Sequence, residues 1–133
     1  MQEKENNEDF KKPSKCAIRV SLKENKLNIH KSTIAMLNKP KYIQLLINKQ
    51  SNIFLVKGCD KKERDSFEVP EDLFSRPRAD YTLHSKVFAD AIRKQTGWEA
   101  DSVYRMNGYF LQDLSVVEFN LNNGKRLFSN VAQ

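Results

Sequence analysis

Glycine and proline are scarce in this chain, four of each among 133 residues, and the glycines form no phosphate-cradling loop of the GxxxxGK or GxGxxG kind. Cysteine is scarcer still. Cys16 and Cys59 lie far apart and belong to no CxxC or Cys/His ligand run, so the sequence offers no metal site, and they are expected to be free thiols. No apolar run approaches the roughly 18 residues that span a bilayer, and the opening MQEKENNEDF is acidic where a signal peptide is basic and then apolar. No nucleophile, base and orienting acid stand in recognisable context, and there are only two histidines, His30 and His84. These absences predict a soluble, cytoplasmic, non-catalytic protein with no cofactor, no metal and no catalytic residue. His30 and His84 read as capping or packing residues rather than ligands.

What the chain has in quantity is positive charge, unevenly spread. The net charge is +6, but residues 10–57 carry eleven Lys or Arg against the single acid Glu24, while residues 67–133 carry eight against nine acids. So one-sided a field speeds encounter with polyanions or acidic proteins. Length and composition bound the rest: 39% hydrophobic and 30% charged residues in 133 suit one globular unit with a core that needs no staple.

Along the chain, residues 1–14 combine charge and Asn with few apolar side chains and are expected to be a disordered tail. Ala17, Ile18, Val20 and Leu22 alternate with Arg19, Ser21 and Lys23 as in a half-buried strand, and Lys26 to His30 alternates again. Ser32 reads as the cap of a short helix through Leu37. Tyr42–Ile47 and Ile53–Val56 read as a hairpin. Residues 59–79 read as a linker with at most one short strand, at Phe67 to Val69. A second strand candidate, Tyr81 to His84, leads into a helix capped by Ser85, with Val87, Phe88, Ala91 and Ile92 on one face and Gly97 at its left-handed end. Val103–Met106 and Val116–Leu121 read as strands joined across Gly108 and the Gln112–Asp113 region. Asn123–Gly124 signals a type I′ hairpin leading to a last strand, Lys125 to Phe128. For Phe54, Phe88, Trp98, Tyr104 and Phe110, core packing is the expectation.

The same order therefore occurs twice: strand ending in His, Ser-capped helix, two strands. Leu27-Asn28-Ile29-His30 before Lys31-Ser32 echoes Tyr81-Thr82-Leu83-His84 before Ser85-Lys86. In the first copy, Lys26 to His30, the short helix Thr33 to Leu37 and the hairpin Tyr42–Ile47 with Asn52–Val56 resemble the AbrB-like (SpoVT/AbrB, MazE) swapped-hairpin family. The sequence departs from that pattern in having Asn25, Lys26 and His30 where the family has Gly, Arg and Pro, and Pro40-Lys41 where it has Gly-Asp. The arrangement is also similar to prophage and clostridial proteins carrying such a module twice. In that family two chains exchange hairpins to close one small barrel. The resemblance implies an α+β, β-rich fold: a pseudo-twofold swapped-hairpin barrel made of two strand-helix-strand-strand copies. The copies would be 15–58 and an intertwined 80–133, in a monomer with internal pseudo-symmetry or a homodimer.

For function, the resemblance implies a DNA-binding transcription regulator. Lys26, Lys31, Lys39, Lys41 and Arg19 would lie on one side of such a barrel and neutralise phosphates, with Asn28 and Tyr42 adding hydrogen bonds or stacking. The same charge also suits a phage- or mobile-element-encoded inhibitor, antitoxin-like or directed at a defence system. It would occupy an acidic or nucleic-acid-binding groove on a protein. No membrane partner is expected.

Overall fold

The computed structural model describes residues 16–77 and 80–127; the expected tail at 1–14 and the end of the last strand at Phe128 lie outside them. Nine antiparallel strands form an open, curled half-barrel sheet, so the molecule is α+β and β-rich. In chain order the strands are β1 (Ala17–Ser21), β2 (Lys26–Ile29), β3 (Tyr42–Asn48), β4 (Ile53–Cys59), β5 (Ser66–Glu68), β6 (Tyr81–His84), β7 (Val103–Leu111), β8 (Val116–Asn120) and β9 (Lys125–Leu127). Among the described residues two helices, α1 (Lys31–Met36) and α2 (Lys86–Thr96), and three short 3-10 turns complete the regular structure.

The sheet runs β5-β3-β4-β8-β7-β1-β2-β6, and β9 lies beside β7. Strand β7 is the spine. Its first half, Val103–Asn107, pairs with β1, and its second half, from Gly108, pairs with β8. At the changeover Gly108 leaves room for the β8 side chains, since a Cβ there would lie 2.6 Å from the Phe119 ring and 2.9 Å from Val117. The sequence placed Gly108 in a connection, but it sits inside the strand, and the turn is the 3-10 segment Gln112–Leu114 with Ser115 left-handed at φ 53°.

Alternation decides which side chains go inside. Ile18 and Val20 of β1, Leu27 and Ile29 of β2, Ile43 of β3, Phe54 and Val56 of β4, Met106 of β7, and Val117 and Phe119 of β8 fill the concave side. Burying side chains of this size stabilises by about 1.5–3 kcal/mol each. Helix α2 lies across this surface. Phe88 meets Phe54 at 5.0 Å between centroids, and Phe54 stacks on Phe119 at 5.5 Å.

Both ends of α2 are as expected: the Ser85 hydroxyl accepts from the Phe88 amide, and Gly97 is left-handed at φ 74°. Its buried face agrees in part, with Phe88 and Ile92 turned inward as expected. Ala89 and Ile92 are fully buried while Val87 is 83% exposed, because Gln95 fixes the rotation of the helix by donating to Lys49 O (2.9 Å) and Asn52 Oδ1 (2.8 Å) in the β3–β4 turn.

Helix α1 also corrects the sequence reading. Its N-cap is His30, whose Nδ1 accepts from the Ser32 amide (3.1 Å), and Ser32 lies inside the helix. Buried Thr33 anchors α1 by accepting from Ala17 N (3.1 Å) and donating to Ala17 O (3.3 Å). Asn123–Gly124 is the remaining correction. No type I′ turn forms, Gly124 has an ordinary φ of −66°, and β9 pairs with β7 rather than β8. The glycine is used for room, since a Cβ would meet the Trp98 indole at 2.4 Å; that indole stacks on Tyr104 at 4.1 Å.

Candidate nucleic-acid interface

The convex face of the β9-β7-β1-β2-β6 region is built by the side chains that the alternation turns away from the core. Arg19 stands opposite Arg105 of β7 on one side and opposite Asn28 of β2 on the other. Arg105 in turn faces Lys125 of β9, and Asn28 faces Thr82 of β6. One row therefore crosses five strands as Lys125, Arg105, Arg19, Asn28, Thr82. With neighbouring strands about 4.8 Å apart, its three cations span about 10 Å. Thr82 Oγ1 donates to Asn28 Oδ1 (2.9 Å), which fixes the amide at the end of the row.

The next row holds Ser21, Lys26 and His84. Lys26 forms an ion pair with Glu24 (3.1 Å); its ammonium, hydrogen-bonded to the Glu24 carboxylate, holds that carboxyl below its usual range. A hollow of about 200 Å³ opens beside the row, lined by Arg19, Asn28, His30, Asp80 and Arg105 with backbone near Ala17 and Ile18. Among the described residues no acid forms an ion pair with Arg19, Arg105 or Lys125.

The structure thus brings Arg19, Lys26 and Asn28 together and sends the other sequence candidates elsewhere. Lys31 donates its ammonium to Arg76 O, and Lys39 sits over the Phe74 ring at 4.6 Å, so both face the Val69–Pro77 segment. Lys41 is exposed near them, lining a separate hollow with Asn38, Lys39, Asp60 and Ser115. Tyr42 is half-buried on β3, opposite Cys59 and Glu68. Sequence reasoning missed Arg105 and Lys125 as partners of Arg19, because they belong to the half whose charges balance overall. In that half Lys86 and Arg93 do meet an acid, Asp90, at 2.9 and 3.2 Å, and hydrogen bonding from Lys86 holds the Asp90 carboxyl below its usual range. Arg105 meets no acid among the described residues, and strand register places it beside Arg19 and Lys125.

Both cysteines are free and buried, and burial pushes both thiols up, away from the reactive thiolate. Among the described residues no group of three or more His, Cys, Asp or Glu is placed to hold a metal ion, and no helix is long and apolar enough to cross a membrane. No family model, curated protein or solved structure matches the chain.

Proposed function

We propose that this chain is a non-catalytic, cytoplasmic DNA-binding protein that engages the phosphate backbone through the convex face of β9-β7-β1-β2-β6, and that it is built as two intertwined swapped-hairpin copies of the AbrB-like kind. The observation that carries the function is the in-register row Lys125, Arg105, Arg19, Asn28 and Thr82. Cations in a row give affinity by releasing counterions from a polyanion, and the amide and hydroxyl at its end supply hydrogen bonds to phosphate or base edges.

Two pairings support the duplicated architecture. Asn28 stands opposite Thr82, 54 residues on, and these are matching positions in the echoed segments. The offset that relates the β3–β4 turn residues Asn48 and Ile53 to the β7–β8 turn residues Leu111 and Val116 also relates Leu55 to Glu118, which face each other between β4 and β8. Equivalent strands that pair antiparallel at equivalent residues are what a twofold axis through the sheet produces. On this reading β5, inside 59–79, is the second copy's counterpart of β1. Each of the two pairs with the third strand of the other copy, β5 with β3 and β1 with β7.

Titration against random duplex DNA at several salt concentrations tests the function. Log affinity should fall linearly with log salt, at about 0.9 per phosphate neutralised; no binding at low salt would refute it. A second reading, a protein-binding inhibitor, draws on the opposite wing of the sheet, where Leu46 (42% exposed) and Tyr109 (50% exposed) flank the facing pair Leu55 and Glu118. Placing charge there with Leu46→Glu and Tyr109→Glu, if it abolishes activity in cells while leaving DNA affinity intact, would favour it.

A further inference from the structure

Arg19 and Arg105 occupy directly opposed positions on adjacent antiparallel strands, and Lys125 is directly opposed to Arg105 on its other side. Opposed residues have Cβ atoms about 5 Å apart, close enough for like charges to repel and destabilise the sheet. All three side chains are exposed, and none forms an ion pair with an acid of the described residues. The acids nearby are Glu24, engaged by Lys26, and Asp80, across the hollow at the start of β6; His30 lines the same hollow. Three adjacent cations are thus held in register by backbone pairing, with repulsion that folding leaves in place and an anion would relieve.

We infer that Arg19 and Arg105, with Lys125, form a clamp for phosphodiester oxygens that exists only because two distant parts of the chain are paired. Its ligand class, a nucleic-acid strand, rests on the DNA-binding reading above. The two guanidiniums present planar forks that suit phosphate oxygens, alone or bidentately. Asn28, its amide oriented by Thr82, borders the clamp on the β2 side, so a phosphate held between the arginines leaves the adjoining nucleotide beside a polar rather than a charged surface. Binding should then track one strand across the sheet, over β9, β7 and β1 and on to β2.

The full chain is tested with two probes, a 20-base-pair random DNA duplex and inorganic tripolyphosphate. The double reversal Arg19→Glu with Arg105→Glu should weaken duplex binding more than about tenfold and lower the salt slope by about 2. The reversal Lys57→Glu with Lys61→Glu, the same change in charge on the other wing, should change affinity less than about threefold. Equal weakening by both pairs overturns the clamp and leaves the DNA reading standing. Failure of the unaltered chain to bind duplex, together with shifts of the Arg19 and Arg105 side-chain NMR signals on adding tripolyphosphate, refutes the DNA reading and keeps the clamp as a phosphate site. No response to either probe removes both. The variant Arg105→Gln separates binding from folding. Relief of repulsion should leave its melting temperature equal or higher while affinity falls, and a lower melting temperature with unchanged affinity would make Arg105 structural and sink the clamp.

Discussion

At one junction in the sheet Arg19 of β1 faces Arg105 of β7; at the junction we propose as its counterpart, Glu68 of β5 faces Tyr42 of β3. The backbone arrangement is the same and the chemistry is opposite. The first pair leaves charge for something outside the molecule to neutralise. The second is neighboured by its own structural bond, since Tyr81 donates its hydroxyl to Glu68 O (2.5 Å) and so ties β6 to β5 without a shared ladder. The difference shows that a tally of basic residues over 10–57 does not tell which cations become neighbours in the sheet. Arg105, from the balanced half, stands beside Arg19, while Lys31 and Lys39, from the basic half, contact the Val69–Pro77 segment.

The comparison is broken most severely next to the junctions. Gly108→Val on β7 drives a side chain into Phe119 and Val117 and should cost about 3 kcal/mol or more. Leu45→Ala, at the corresponding place on β3, removes a partly buried side chain and should cost about 1–2 kcal/mol. Urea denaturation of both gives the answer, and equal losses would mean that the two junctions are not packed differently.

A smaller effect comes from copying one junction onto the other. Tyr42→Arg with Glu68→Arg gives β3–β5 the charge of β1–β7, and duplex DNA affinity should rise about tenfold with a salt slope steeper by about 1–2. An unchanged slope would show that position within the sheet, and not the pair alone, governs binding.

Tyr81 sharpens the contrast through pH. Burial, with a further push from Glu68, raises its hydroxyl to about 12 from an ordinary 10. The unfolded chain therefore loses this proton first as pH rises, so stability falls between pH 10 and 12. Tyr81→Phe should cost about 1 kcal/mol at pH 7 through the lost bond to Glu68 and should flatten that alkaline decline in thermal melts. A decline as steep in the variant would assign it to other groups.

The smallest effect is expected at Lys39. Its contact with Phe74 is exposed, so Lys39→Met should lower stability by about 0.5 kcal/mol. DNA affinity should move less than about twofold, against the tenfold loss at Arg19 and Arg105. A large loss at Lys39 would return the interface to the exit of α1.

Much of the fold was legible because its signals are local. The turn between β3 and β4 needs residues that bond their own backbone or tolerate positive φ, and Asn48, accepting from Gln50 and Ser51, and Asn52, at φ 59°, do both. Ser85 and Gly97 bracket α2 for equally local reasons. Two misreadings were non-local. Gly108 and Gly124 carry turn chemistry in sequence, yet each makes room for an aromatic ring from another element. A third misreading was local: Ser32, expected as the cap of α1, lies inside the helix, and His30, expected as a capping or packing residue, caps it with a ring nitrogen in place of the usual Ser, Thr, Asp or Asn.

By itself the sequence determined most of the strands, both described helices, the repeated element order and most of the inward apolar residues, because alternation, capping and turn chemistry act over a few residues. It also determined that Arg19, Lys26 and Asn28 alternate with core residues and so point outward. Tertiary structure alone decided which outward residues become neighbours. The sequence separation of 86 between Arg19 and Arg105 is closed by pairing β1 with β7, and that pairing rests on core packing such as that of Phe54, Phe88 and Phe119 and on the close approach of Phe119 to Gly108, not on any property of the arginines. Charge along a chain is additive, but a binding face is made by register, and register is set by the whole core.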